Sequence, residues 1–100
     1  MMAGATQNPT TAEPSEEVLK AIIDCYCRLQ HAELAMVEAG FGGGIPFDSI
    51  LGVEMAANLE ITLGVPIPEE RLMRTSVYSS LASYAAMVQA CVDTAQENRQ

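Results

Sequence analysis

Asp48-Ser49-Ile50-Leu51-Gly52-Val53-Glu54-Met55-Ala56-Ala57-Asn58-Leu59-Glu60-Ile61-Thr62-Leu63-Gly64 is the stretch on which the reading of the fold turns. It opens on an Asp-Ser pair that suits a helix cap and closes on a glycine that suits a helix stop. No proline or internal run of turn residues interrupts it. On a helical wheel Gly52, Met55, Ala56, Leu59 and Leu63 form one continuous face, which is the core side. Ile50, Val53, Ala57 and Ile61 form a second apolar strip roughly opposite, flanked by Glu54 and Glu60. A helix on the outside of a small bundle buries one side only. The second strip is therefore either covered by a loop, with Ile50 tucked beneath it, or left open as a docking surface.

Outward from this helix the chain divides into similar pieces. Upstream, Pro14-Ser15-Glu16-Glu17 reads as a helix start, with a first-turn proline, a capping serine and acids at the positive end of the dipole. Val18, Leu19, Ile22, Ile23, Tyr26 and Leu29 follow at helical spacing. Residues 30–39 contain no breaker, so the end of this helix is open: they continue it or form extra helix. The loop Gly40-Phe41-Gly42-Gly43-Gly44 stops it, and Ile45-Pro46-Phe47 runs extended because the residue before a proline avoids the α region. Downstream, Val65-Pro66-Ile67-Pro68 is a stiff connector, and Glu69 to Met73 has room for one or two helical turns. Thr75 or Ser76 is placed to cap a last helix carrying Val77, Leu81, Tyr84, Ala85, Val88 and Val92. No stretch alternates apolar and polar residues as a strand does. The predicted fold is all-α, a small four-helix bundle with three main helices and one short one. The predicted organisation is a disordered leader over residues 1–13, a domain over 14–92 and a frayed tail over 93–100.

Composition narrows the functions open to such a bundle. Apolar residues make up 49% and charged residues 18% of the 100, enough to build one core but a small one. Thirteen acids against five bases give a net charge of −8, which disfavours nucleic acid and anionic membranes as partners and favours a basic protein surface. There is no run of about 18 apolar residues and no basic-then-apolar start, so neither a membrane span nor a secretory signal is predicted. The odd set of three cysteines reads as free thiols in the cytoplasm.

Few residues offer enzyme chemistry. His31 is the lone histidine and has no catalytic neighbours in sequence. Cys25 and Cys27 stand two apart on a helix and point to nearly opposite sides, so they read as structural thiols and not as a metal clasp. Gly42-Gly43-Gly44 lacks the Lys-Ser/Thr that a phosphate loop needs. Ser49 differs from all of these. It lies in the first turn of a helix directly after a glycine loop, where Asp48 is free to cap and the hydroxyl is open to solvent. Unpaired N–H groups and the positive dipole end there tolerate a phosphate. The plainer alternative is an ordinary Asp-Ser cap.

The ordered set of motifs resembles the acyl carrier proteins, the phosphopantetheine-binding thiolation modules of fatty acid and polyketide synthesis. Phe47-Asp48-Ser49-Ile50 is similar to the family's Gly-x-Asp-Ser-Leu attachment motif, and Glu54 stands where the family has a glutamate after a valine. Gly64-Val65-Pro66-Ile67-Pro68 resembles its Gly-Val-x-Ile-Pro connector. Thr75-Ser76-Val77 with Leu81-Ala82-Ser83-Tyr84 resembles the opening of its last helix. The likeness spans roughly residues 15–90.

The resemblance implies a carrier and not an enzyme. Ser49 would bear a 4′-phosphopantetheine arm as its covalent cofactor, installed by a phosphopantetheinyl transferase, with Asp48 beside it. Ile50, Val53, Glu54 and Ala57 would meet partner enzymes, such as an acyltransferase, a ketosynthase or an adenylating enzyme. The carrier itself would be a cytoplasmic monomer. Pro46 replaces the motif's usual glycine, and Leu51, Gly52, Ile61 and Thr62 stand where primary fatty acid carriers tend to be polar or acidic. A more apolar helix implies different partners, and the motifs lean toward discrete carriers of bacterial polyketide or other antibiotic biosynthesis. A peptidyl or aryl carrier of nonribosomal synthesis is the near alternative, and a non-covalent helical interaction module the more distant one.

Overall fold

A computed structural model describes residues 13–98, and among them every regular element is helical. The leader predicted over residues 1–13 lies outside the described residues except for Glu13. Three long helices make the frame: α1 (Glu16–Gln30), α3 (Ser49–Leu63) and α5 (Leu81–Asn98). Two short ones join them, α2 (Leu34–Ala39) and α4 (Glu69–Leu72), with a 3-10 turn at Thr75–Tyr78.

α1 begins where its sequence says. Ser15 is extended, and its hydroxyl accepts the Val18 N–H at 3.2 Å, while Glu16 and Glu17 occupy the first turn. Val18, Ile22, Cys25 and Tyr26 are its buried residues, and they lie on one face. Its first turn is also tied across the molecule. The Ser15 N–H donates to Gln89 Oε1 on α5 at 2.8 Å, and Gln89 Nε2 donates to Asp93 at 2.9 Å.

The helix does not run on through residues 30–39. His31 takes the left-handed conformation, φ 53°, and both its own N–H and that of Ala32 return to the Cys27 carbonyl. Histidine tolerates this conformation better than most side chains, so a helix stop forms without glycine. α2 then forms as a separate six-residue helix that buries Val37 and leaves Leu34 and Met36 more than half exposed.

α3 matches its predicted bounds, ending at Gly64 with φ 71°, a conformation that favours glycine. The last helix starts later than Thr75 or Ser76. Those residues open the 3-10 turn, which drives Val77 into the core, and Ser80 caps α5 by accepting the Ser83 N–H at 3.1 Å. At the other end α5 is helical through Asn98. Ala95 keeps partial burial there, and the Gln89–Asp93 pair spans one turn.

Ile22, Met55, Leu59, Leu81, Tyr84 and Val88 are fully enclosed where α1, α3 and α5 meet. No helix among the described residues is long and apolar enough to cross a membrane.

Candidate functional site

The start of α3 places the Ser49 hydroxyl in solvent at the head of a capped helix. Asp48 is fully extended, φ −145° and ψ −179°, and its carboxylate accepts the Leu51 N–H at 2.9 Å. The cap is therefore filled by Asp48, and Ser49 is the first helical residue, exposed. The helical ladder has no acceptor for the Ser49 and Ile50 N–H groups, which remain at the positive end of the dipole.

Aromatic side chains hold this start from both sides. Phe47, just before the cap, packs edge-on against Tyr84 with ring centres 5.2 Å apart, with Tyr78 at 5.8 Å and Tyr26 at 6.5 Å. The Tyr26 hydroxyl donates to the Pro46 carbonyl, and the Tyr84 hydroxyl donates to the Gly52 carbonyl at 2.6 Å. Two hydroxyl clamps thus bracket Ser49, three residues to either side. Burial pushes the Tyr84 and Tyr26 phenols above their ordinary range, which extends their role as donors further into alkaline pH. Gly52 makes the second clamp possible. A Cβ at this position would collide with the Tyr78 ring and press on that of Tyr84.

The rest of α3 separates into the two predicted faces. Gly52, Met55, Ala56 and Leu59 are buried, Leu63 is half-buried, and Leu51 joins them although the wheel left it out. Ile50 is 79% exposed, Val53 52% and Ile61 84%, and Ala57 and Glu54 are exposed as well. The glycine loop does not cover the strip. Instead it turns toward α5, where the Phe41 carbonyl accepts the Ala82 N–H at 3.0 Å. Glu60 has a role that the wheel did not reveal: its carboxylate accepts the Ile67 N–H at 2.7 Å and fastens the connector to α3.

Beside Ser49 lies a shallow groove of about 220 Å³, with Asp48, Ile50, Leu51 and Glu54 on its α3 side and Gln30, Pro46 and Phe47 opposite. Pro46 and Phe47 were in the motif that the sequence reading singled out, but the place of Gln30 across the groove was missed.

Other chemistry has less support. The three cysteines are free, and burial raises the thiol pKa values of Cys25, Cys27 and Cys91, which makes them poor nucleophiles. No cluster of three or more metal-ligating side chains occurs among the described residues, nor any buried side-chain polar atom without a partner. Comparison with family models, with curated proteins and with solved structures finds no match for this chain.

Proposed function

We propose that this chain is an acyl carrier protein whose Ser49 bears a 4′-phosphopantetheine arm. The observation that carries the reading is an exposed serine in the first turn of a helix whose backbone is clamped on both sides. Asp48 performs the capping, so the Ser49 hydroxyl has no structural duty to give up. The open N–H groups of the first turn suit the phosphodiester that attachment would leave there. These features fit the group, which when bound supplies a terminal thiol that holds acyl chains as thioesters.

Attachment balances simply. The Ser49 oxygen forms a bond to the coenzyme A phosphorus that bears the pantetheine, the bond from that phosphorus to the nucleotide breaks, and 3′,5′-ADP leaves. The hydroxyl proton passes to a base of the transferase. Hydrogen bonds to the backbone on either side of Ser49 hold the segment that carries the hydroxyl, which lowers the cost of ordering it in the transferase.

The exposed strip Ile50, Val53 and Ala57, with Glu54 at its margin, supports a docking role toward partner enzymes. The bacterial polyketide assignment is drawn from the sequence motifs at Phe47–Ile50 and Thr75–Tyr84, as is the nonribosomal alternative.

Intact-mass measurement after incubation with coenzyme A, Mg²⁺ and a broad-specificity phosphopantetheinyl transferase tests the reading. The expected result is the gain of one arm, abolished by Ser49→Ala. A folded protein that gains no mass beside an active transferase would refute it and favour a non-covalent interaction module.

A further inference from the structure

We propose that the group carried on Ser49 is a neutral, apolar acyl chain, and that it rests in the groove between the end of α1, α2 and Ile45-Pro46, outside the bundle core. The inference rests on the carrier reading and names the class of cargo.

The groove beside Ser49 is small, but it has a larger neighbour. Gln30 and Pro46 line it and also line a second groove of about 460 Å³. The two share that wall, so the larger groove is the neighbour of the one bordered by Asp48 and Ile50, the residues on either side of Ser49. The larger volume is within the range of about 300–1,000 Å³ usual for small-molecule sites.

Its lining sets the chemistry. Tyr26, Ala32, Met36, Val37 and Ile45 contribute apolar surface. The Tyr26 hydroxyl is already spent on the Pro46 carbonyl, so this residue offers its ring. Gln30, His31 and Glu33 supply the polar side chains, and neither lysine nor arginine lines the groove. A free carboxylate or a heavily oxygenated chain would lose its water there with little in return. A hydrocarbon chain loses nothing. Met36, more than half exposed at the rim, is unbranched and able to fold over an occupant of varied shape.

The core is the competing destination, and it is costly to enter. Met55, Leu59, Leu81, Tyr84 and Val88 are fully enclosed and would have to be displaced. The α1–α2 groove exists before any cargo arrives. It owes its existence to the left-handed turn at His31, which bends the chain away from α1 and sets α2 beside it.

The test uses the unmodified full chain with ¹³C-labelled Ile, Val, Leu and Met methyl groups, titrated with octanoyl-pantetheine and, separately, with pantetheine. The expected result is a saturable shift of the Met36, Val37 and Ile45 methyls with the acylated probe and no such shift with pantetheine. Met36→Glu should weaken binding about tenfold, and Met36→Leu should retain it. Shifts confined to Met55, Leu59 and Val88, or no saturable shift at all, would overturn the groove assignment while leaving the carrier reading to the mass measurement. Groove shifts in a protein whose Ser49 accepts no arm would sink the carrier reading, and the tethered cargo with it.

Discussion

The two faces of α3 are made of similar residues and do opposite things. Met55, Ala56 and Leu59 are buried, while Ile50, Val53 and Ile61, no less apolar, stand more than half in solvent. The helix is apolar nearly all round, so hydrophobicity alone does not orient it. Size decides. On the inner face Gly52 permits the close approach of Tyr78 and Tyr84, and the Tyr84 hydroxyl then locks onto the Gly52 carbonyl. The outer face has branched side chains where no ring could come so near. What looks like surplus apolar surface is the part of the helix left over once the tyrosines have chosen their side.

The comparison is breakable at its strongest point first. Leu59→Ala removes a fully enclosed side chain and should cost about 2–5 kcal/mol in urea unfolding. An unchanged midpoint would mean that this face is not the core. Asp48→Ala acts at the helix start, between the two faces. Loss of the cap to the Leu51 N–H should cost about 1 kcal/mol and fray the first turn, read as faster amide exchange at Leu51. Ile61→Ser acts on the outer face and should move stability by no more than about 0.5 kcal/mol, since the residue is 84% exposed. A melting point lowered as far as by Leu59→Ala would erase the distinction between the faces.

Much of the fold is legible in the residues, because local signals and helical spacing agree over the three long helices. Ser15, Asp48 and Gly64 all act as the caps they resemble. The misreadings fall where a local signal has a tertiary competitor. Nothing in Gln30-His31-Ala32 announces a turn, since the His31 conformation is stabilised by bonds to Cys27 and by the packing of Val37 beyond it. Thr75 and Ser76 are good caps that lose to Ser80, because burying Val77 demands a tight turn before α5 can begin. At the candidate site, the exposure of Ser49 was readable from its place after the glycine loop, whereas the wheel showed the second strip but left open whether a loop covers it. The clamps from Tyr26 and Tyr84 were not readable, because they join positions 20 and 32 residues apart in the chain. The groove behind Pro46 was hidden for the same reason.

The bond from the Ser15 amide to Gln89 joins positions 74 residues apart. During synthesis the Ser15 amide therefore waits for 74 further residues before its final acceptor exists. A ribosome stalled within α5, short of Gln89, would hold a product whose first helix lacks that anchor. That one bond makes the start of α1 dependent on the middle of α5.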